Sequence, residues 1–334
     1  MTIGQRTKRS TVRDVAKAAK VSVATVSRVL NSPEVVQPDT RMRVERAIAE
    51  LRFVRNAAAW SINTGRTNIV GVLLPSLESD LFAMTISAIE GKLEEFGLSL
   101  IVATTNEVQE TETRKARELL DIGVEGLILT GVLHGDNLYE LLDRAQIPVV
   151  AISNFDPTYR YPTVGYDNKA AARCGLEFLL GLGHRRIAVV HGPTETNDRM
   201  RDRVAGAVAS EASVEVAYHC TELSMEGGGA AVREILRSGP FPDGVLCVSD
   251  ILAIGVLFEF QRHGVRVPNH VSVMGLHDLP ISQFISPRLS TVRLPSRRMG
   301  KSAAVALARW IEEGTRPSPI LLPTELSVRE STRD

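Results

Sequence analysis

The chain has 334 residues, 44% of them hydrophobic and 23% charged, which suits two or three globular domains rather than one small domain. Its three cysteines, Cys174, Cys220 and Cys247, are scattered and lack CxxC spacing, which argues against a disulfide framework or a zinc site. No apolar run reaches the roughly 18 residues that a membrane span needs, and no signal peptide follows the N-terminal charges. We therefore expect a cytoplasmic protein without a metal, a cofactor or a membrane partner.

Charge is distributed unevenly along the chain. Residues 1–66 contain 13 Lys and Arg residues against 5 Asp and Glu residues, whereas the rest of the chain contains 26 against 34. A basic head on an acidic body is typical of a nucleic-acid-binding module joined to a second function. A solvated basic tail would carry the same charge, but this head has the periodicity of folded helices, which a tail lacks.

The head begins with two short helices joined by a tight turn. Thr11, followed by Asp14 three residues later, offers a capped start for the first helix, and Ser22 offers an N-cap for a second helix over Val23–Asn31. A third helix is predicted from Pro38 to about Arg52. Because the second helix turns small and hydrogen-bonding residues outward, residues 1–55 are predicted to form an all-α helix-turn-helix DNA-binding domain.

The residues of this head resemble the LacI-type repressor family. The similar segment is TVRDVAKAAKVSVATVSRVLNSPEVVQPDTRMRVERAIAELRFVRNAAAWSI, which includes the core V-S-x-x-T-V-S-R-V-L-N. The resemblance implies that the second helix enters the major groove of double-stranded operator DNA, with Val23 and Ala24 discriminating operators and Arg28 contacting a guanine or a phosphate. The head residues implied to contact DNA are Thr11, Ser22, Val23, Ala24, Thr25, Ser27, Arg28 and Asn31.

Residues 56–66 match the hinge of that family, which forms a short helix in the minor groove. Ile62 stands where the family has a wedging leucine, and Asn56 and Ala59 are the other implied contacts. Three residues depart from the family pattern, with Lys20 replacing a glycine, Arg55 a proline and Trp60 an arginine. The chain also lacks the leucine heptad of the tetramer-forming members, so we expect a homodimer on a two-fold operator.

From Thr67 onward, short apolar runs alternate with helical patterns, which predicts doubly wound α/β sheets. The runs predicted as buried parallel strands are Ile69–Leu74, Ser99–Ala103, Gly126–Leu129, Pro148–Ile152, Ile187–His191, Gly244–Val248 and Val271–Leu276. The helical patterns include Ala83–Glu95, Thr111–Ile122, Asn168–Leu182, Gly228–Arg237 and Asp250–Arg262. Because such sheets bind ligands beyond the carboxyl ends of their strands, we expect a small-molecule site in the polar loops that follow.

The order of these elements is similar to the periplasmic-binding-protein-like sensor of the same family. The resemblance implies a ligand-sensing domain over 67–334 with two doubly wound lobes, one of about 67–164 and 293–318 and the other of about 165–292 and 319–334. The ligand-binding residues that it implies are Phe82, Thr130, His134, Ser153, Asp167, Arg203, Ser249, Asp250 and His277. Two alternatives stay open: Asp167 and Asp250 only cap the helices that follow them, or Arg203 belongs to a surface ion pair.

His277 is the most informative departure within the body. Most sugar-sensing relatives have an acidic residue there, which accepts hydrogen bonds from neutral sugar hydroxyls, whereas a histidine can donate and, when protonated, favours an anion. Together with Gly126–Thr130, His134 and Glu259–Arg262, this departure resembles the gluconate-repressor subgroup. The resemblance implies a sugar acid such as gluconate as the effector.

Two other classes of protein use folds of this kind. An enzyme would be expected to carry a motif such as GxxxxGK[ST], GxGxxG, GxSxG or HExxH, none of which is found, and the glycine run Gly227–Gly229 is predicted to be only a loop or a helix cap. A solute-binding protein would need an export signal and would lack the basic head. Within the regulator class, a co-repressor mode, an activator role and a neutral sugar effector all stay open.

Overall fold

The computed structural model describes residues 10–54, 65–78, 80–208 and 214–333. By its internal contacts, the chain divides after Thr67 into two units. The first unit contains the basic head and the second contains the α/β body.

The described part of the head is a bundle of three helices. These are α1 (Val12–Ala19), α2 (Val23–Asn31) and α3 (Pro38–Glu50), with a short 3₁₀ turn at Pro33–Val35. The three helices share one apolar core, whose buried members are Val15, Ala16, Ala19, Val26, Val29, Val44 and Ala47. The predicted all-α head is confirmed.

Local capping explains where the first two helices begin. The Asp14 carboxylate accepts a hydrogen bond from the Thr11 N–H at 2.8 Å, and the Thr11 hydroxyl accepts one from the Asp14 N–H. Ser22 Oγ accepts from the Thr25 N–H at 3.0 Å. Lys20 ends α1 in the left-handed conformation with φ 54°, which costs a residue with a side chain about 1 kcal/mol relative to glycine. Only Lys20, Val21 and Ser22 therefore separate α1 from α2, which is the short turn that the predicted helix-turn-helix requires.

The body is built on two mostly parallel sheets. Its strands are β1 (Ile69–Leu74), β2 (Ser99–Thr104), β3 (Gly126–Thr130), β4 (Val149–Ile152), β5 (Thr163–Gly165), β6 (Arg186–His191), β7 (Glu215–Cys220), β8 (Gly244–Cys247), β9 (Ser272–His277), β10 (Ser290–Arg293), β11 (Ile320–Leu321) and β12 (Glu325–Ser327). The described strands are ordered β11-β5-β4-β3-β1-β2 in the first sheet and β12-β10-β9-β8-β6-β7 in the second. The predicted α/β body of two doubly wound lobes is confirmed.

Helices cover both sheets and close their cores. They are α4 (Asp80–Glu94), α5 (Gln109–Ile122), α6 (Asp136–Ala145), α7 (Asn168–Gly181), α8 (Asp198–Gly206), α9 (Met225–Ile235), α10 (Asp250–Arg262) and α11 (Ser296–Glu313), with a 3₁₀ turn at Pro280–Gln283. Strands β3, β4, β8 and β9 are buried along their whole length, as expected for parallel strands covered on both faces.

The chain crosses between the lobes three times. The first crossing follows β5, the second follows β10, and the third lies between β11 and β12. The third crossing comes later than the sequence predicted, because Ile320 still pairs with Val164 in the first sheet. A two-residue edge strand has no periodicity from which this boundary could have been predicted.

The glycine run that was predicted to form a loop or a cap belongs instead to a helix–helix contact. Gly227, Gly228 and Gly229 lie within α9, and all three are buried. A Cβ atom on Gly228 would collide with the carbonyl oxygen of Leu252 on α10. The helical pattern predicted over Gly228–Arg237 is thus confirmed, whereas the loop or cap role is wrong, because the run serves the close packing of two helix backbones.

Candidate functional site

A cleft of about 560 Å³ lies between the two lobes of the body. Both lobes contribute to its lining, which consists of Pro75, Ser76, Glu78, Asp80, Leu81, Phe82, Asn106, Glu107, Ser153, Tyr166, Asn197, Arg199, Met200, Arg203, Leu223, Met225, Ser249, Ile251, His277 and Leu279. The size falls in the range of sites for small molecules. Because the lining combines apolar walls with a few converging polar groups, this cleft is the candidate ligand site.

Strained backbone is concentrated around this cleft. Nine described residues other than glycine have positive φ, and four of them, Asn106, Glu107, Ser153 and His277, line the cleft. A left-handed conformation at such residues costs of order 1–3 kcal/mol and persists mostly where the surroundings and the function require it. The neighbour of His277, Asp278, shares this conformation, so the turn after β9 is doubly strained.

Five of the nine predicted ligand residues line the cleft. Ser153, Ser249 and His277 lie at the carboxyl ends of β4, β8 and β9, whereas Phe82 projects from α4 and Arg203 from α8. Parallel strands bring residues that are distant in sequence to one edge of a sheet. The structure thus assembles these five side chains in one place, and ligand contact by them stays a prediction.

Arg203 lies at the floor of the cleft and is only 4% exposed. Its Nε donates to Asn168 Oδ1 at 2.9 Å, its Nη1 donates to the Val248 carbonyl at 3.1 Å, and its Nη2 donates to the Tyr166 hydroxyl at 3.3 Å. None of the described carboxylates forms a salt bridge with it. Burial lowers the pKa of the Arg203 guanidinium from its ordinary value. The floor of the cleft therefore holds a buried cation without an anionic partner.

His277 contacts Arg203 directly. Arg203 Nη1 lies 2.9 Å from His277 Nε2, and His277 Nδ1 lies 3.3 Å from Ser249 Oγ. Burial, and secondly the positive charge of Arg203, hold the pKa of His277 well below its usual range. Since Arg203 can only donate, the ring is neutral, accepts at Nε2 and carries its proton at Nδ1. His277 therefore adds no positive charge at the floor of the cleft, and its contact with an anion stays a prediction.

Two arginines hold the strained turn after β9. The buried Asp278 carboxylate accepts from Arg293 Nε at 2.7 Å and from Arg329 Nη2 at 2.6 Å. Arg293 ends β10, and Arg329 belongs to the C-terminal segment of the described chain. Both carboxylate oxygens of Asp278 thus accept hydrogen bonds from arginines of the same chain, and these contacts fix the backbone that presents His277.

The other four predicted residues do not line the cleft, because each is engaged elsewhere. Thr130 Oγ1 donates to the Leu73 carbonyl at 2.9 Å, and His134 Nδ1 lies 2.9 Å from Glu112. Asp167 is exposed and caps α7 through the Ala170 N–H, so the capping alternative describes it.

Asp250 is fully buried at the start of α10. It accepts from Thr291 Oγ1, the Leu279 N–H and Ser282 Oγ at 2.6–2.8 Å. Burial raises the pKa of the Asp250 carboxyl, and these three hydrogen bonds oppose the rise. Asp250 therefore joins α10 to the segment after β9 rather than facing the cleft.

The sequence did not indicate a polar bridge between the lobes. From the second lobe, Arg199 Nη2 donates to Glu107 of the first lobe at 2.9 Å, and Asn197 Nδ2 donates to the same carboxylate at 2.7 Å. Asp198 accepts from the N–H of Val132 at 2.5 Å. Burial raises the pKa of Glu107 while Arg199 lowers it. These residues lie about 65 to 92 positions apart, so no local pattern could have indicated their contact.

The second helix of the head presents the residues predicted to contact DNA. Val23 is 47% exposed, and Ala24, Arg28 and Asn31 are exposed as well. Thr11 and Ser22 are also exposed, whereas Thr25 and Ser27 are partly exposed. The predicted hinge contacts Asn56, Ala59 and Ile62 lie outside the described residues, as do Arg55 and Trp60.

Among the described residues, no group of three or more His, Cys, Asp or Glu side chains is arranged to hold a metal ion. No helix in the described part of the chain is long and apolar enough to cross a membrane.

Comparison with known proteins gives consistent matches for both units. Residues 11–56 match bacterial regulatory proteins of the lacI family, and residues 176–332 match a periplasmic binding protein-like domain. The HTH-type transcriptional regulator GntR of Escherichia coli K12 is 32% identical over 96% of this chain and 98% of its own length. The ribose operon repressor of Halalkalibacterium halodurans is 31% identical over 97% of both chains.

Solved structures agree with these matches. The crystal structure of the lac repressor dimer bound to operator and the anti-inducer ONPF has a TM-score of 0.88 to this chain, with 27% identity over 97% of this chain and 99% of the other. A LacI-family regulator from Silicibacter pomeroyi also has a TM-score of 0.88, with 28% identity over 97% of this chain and 100% of its own. The similarity thus covers the head and the body together.

Proposed function

The chain belongs to the LacI family of bacterial regulatory proteins and is a transcriptional repressor rather than an enzyme, and we propose that it binds a two-fold operator as a homodimer and is released by a sugar acid such as gluconate. The repressor class follows from the relatives that match the whole chain. The effector, the dimer on DNA and the sign of the effector's action are the proposal.

The buried cation at Arg203, which no described carboxylate contacts directly, carries the choice of an acidic effector. A buried charge is costly unless it is paired and hydrogen-bonded, and the described partners of Arg203 are neutral acceptors. A carboxylate at the floor of the cleft would supply the missing negative charge through charge-assisted hydrogen bonds. The effector's anionic group is therefore placed against Arg203.

The remainder of the cleft suits a hydroxylated chain. Glu78, Asp80 and Asn106 line the cleft and offer oxygen acceptors to hydroxyl groups. The neutral His277 ring adds hydrogen-bonding capacity beside Arg203 without adding charge. A ligand with one carboxylate against the floor of the cleft and several hydroxyl groups along its walls is a sugar acid.

The head supplies the DNA-binding half of the proposal. The outward face of α2 combines the exposed apolar side chains of Val23 and Ala24 with Arg28. Apolar side chains suit thymine methyl groups, and arginine suits guanine edges. A dimer would place two such helices on the two half-sites of a palindrome. Asn56, Ala59 and Ile62 are proposed to contact the minor groove.

Titration calorimetry tests the effector. Gluconate, neutral aldoses and purines are titrated into the unaltered protein, into Arg203→Met, and into the control Arg233→Met. Arg233 is a half-exposed residue of α9 that pairs with the buried Glu259 of α10, and neither residue lines the cleft. Loss of one partner of a buried charge pair costs about 2–5 kcal/mol, so Arg203→Met should weaken gluconate binding about 30-fold or more, whereas Arg233→Met should not. Binding of a neutral sugar or a purine instead of gluconate would overturn the choice of effector and leave the repressor class intact.

A further inference from the structure

A continuous chain of buried side chains connects the floor of the cleft to the bridge between the lobes. Arg203 Nε donates to Asn168 Oδ1 at 2.9 Å, Asn168 Nδ2 donates to Asn154 Oδ1 at 2.6 Å, and Asn154 Nδ2 donates to Asp198 Oδ2 at 3.1 Å. Asp198 Oδ2 also accepts the N–H of Val132. We call Arg203, Asn168, Asn154 and Asp198 the amide chain.

The hydrogen bonds themselves fix the orientation of both amides. A flipped Asn168 would turn its NH₂ group toward the Arg203 guanidinium and its oxygen toward the carbonyl oxygen of Ser153, which now accepts from Nδ2 at 2.8 Å. A flipped Asn154 would turn its oxygen toward the Asp198 carboxylate. Because each flip places like groups against each other, every donor in the amide chain faces an acceptor in one arrangement only.

Every member of the amide chain is shielded from water. The exposed fractions are 4% for Arg203, 1% for Asn168, 5% for Asn154 and 2% for Asp198. In such an environment hydrogen bonds strengthen one another, and an unsatisfied group is costly. A change in the donor direction of Arg203 therefore alters the bonds farther along the chain instead of being absorbed by solvent.

The far end of the amide chain holds the two lobes together. Asp198 belongs to the second lobe and binds the N–H of Val132 in the first, next to Arg199, whose Nη1 donates to both Asp198 and the Thr130 carbonyl. Gly131 allows this approach, because a Cβ atom there would collide with the Arg199 guanidinium. The position of Asp198 therefore bears directly on the contact between the lobes.

We propose that Asn168 and Asn154 are the positioning residues that couple an anion at Arg203 to the contact between the lobes. This inference rests on the proposed function only in taking the effector to be an anion that binds Arg203. An anion draws the guanidinium donors toward itself and weakens the Nε bond to Asn168. Asn168 then shifts against Asn154, Asn154 releases part of its hold on Asp198, and the bond from Val132 to Asp198 changes.

A ligand-free double-mutant cycle tests the connection itself. Hydrogen exchange at the peptide that contains Val132 is measured in the unaltered protein, in Arg203→Lys, in Asn154→Ala and in the double variant. Arg203→Lys removes the Nε donor and should change the exchange rate at Val132 by at least about threefold, and in the Asn154→Ala background it should cause no further change, because residues of one network are not additive. Equal effects of Arg203→Lys in both backgrounds would overturn the proposal.

A second measurement asks whether the amide chain carries the effector signal. Gluconate is titrated into the full-length protein, with and without operator duplex, for the unaltered protein, Asn154→Ala and the control Ser272→Ala. Ser272 begins β9 and is fully buried, and its hydroxyl lies 2.9 Å from His184, which precedes β6. Ser272→Ala therefore also removes a buried hydrogen bond but leaves the amide chain intact.

Without operator, the Asn154→Ala variant should bind gluconate with a dissociation constant within about threefold of that of the unaltered protein. The ratio of the gluconate dissociation constant measured with operator to that measured without it should fall at least about fivefold toward one. Ser272→Ala should keep that ratio. An unchanged ratio in Asn154→Ala, or an equal fall in Ser272→Ala, would overturn the proposal. If gluconate fails to bind the unaltered protein, the effector assignment falls, and the exchange cycle still decides whether the amide chain connects the cleft with Val132.

Discussion

Among individual residues, His277 shows how burial decides the role of a titratable group. The imidazole lies between the Arg203 guanidinium and the Ser249 hydroxyl, and its pKa is held well below the ordinary value of 6.5. The folded protein therefore keeps the ring neutral, whereas the unfolded chain binds a proton below about pH 6.5. As the pH falls below 6.5, the free energy of unfolding should decrease, by about 1 kcal/mol at pH 5.5 from this residue alone.

The substitution His277→Gln isolates this contribution. A glutamine can still accept from Arg203 and donate to Ser249, but it does not titrate. Denaturant unfolding between pH 5 and pH 8 should show a shallower loss of stability on the acid side for the variant than for the unaltered protein. His184, whose pKa burial also lowers, supplies a second residue for the same substitution. Parallel curves for the His277→Gln variant and the unaltered protein would contradict a neutral His277 in the folded state.

The placement of individual residues could be predicted only partly from the sequence. Arg203 and His277 were predicted from the family resemblance, and both line the cleft. The charge state of His277 depends first on its burial and secondly on a residue 74 positions away, so the residue type alone could not indicate it. Asn154 and Asp198 are 44 positions apart and meet only because the chain crosses between lobes. Such contacts leave no trace in local spacing.

Among the secondary-structure elements, prediction succeeded where burial and capping leave a clear pattern. The Thr11–Asp14 pair and Ser22 start α1 and α2 as predicted, and the long apolar runs became the central strands. The sequence did not predict strands β7 and β10, and the reasons for the two strands are opposite. Glu215–Cys220 is an edge strand with several exposed residues, whereas Ser290–Arg293 buries polar side chains. Neither pattern resembles the continuous apolar run of a central parallel strand.

The exposed position of Arg28 on helix α2 leads to a prediction for DNA binding. Arg28 lies on the exposed face of the helix, one turn after Ala24, and Val23 and Ala24 begin the first turn. If Arg28 reads a base edge, Arg28→Ala should weaken binding to a selected palindromic duplex by about 1–3 kcal/mol and leave binding to random DNA nearly unchanged. Fluorescence anisotropy on both duplexes measures the two affinities.

A suitable control lies on the neighbouring helix. Arg41→Ala makes the same change on α3, where Arg41 forms an ion pair with Glu45 at 2.6 Å. It should alter specific binding much less than Arg28→Ala does. Equal losses on both duplexes for Arg28→Ala would assign Arg28 to a phosphate, and α2 would then discriminate operators through Val23 and Ala24 alone.

On the scale of the whole molecule, charge is divided between two units that meet different partners. The basic head, with 13 Lys and Arg residues against 5 Asp and Glu residues, suits the polyanionic backbone of DNA. The acidic body encloses a cleft with one buried arginine, Arg203, that no described carboxylate contacts directly. Salt screens the interaction between exposed charges that are separated by more than a Debye length, but it screens buried charge pairs far less. Salt should therefore separate the two binding functions within one protein.

Operator binding should weaken steeply with salt while effector binding does not. If the two heads of a dimer neutralise roughly 6–10 phosphates, operator affinity should fall by about 10³–10⁵ between 50 and 200 mM salt, because counterions are released from the DNA on binding. Gluconate affinity, measured by calorimetry over the same range, should change by less than about threefold, because the proposed site for its carboxylate, at Arg203, is buried. A flat operator response would contradict phosphate neutralisation by the head. A steep gluconate response would mean that the anion binds at an exposed site and not at the floor of the cleft.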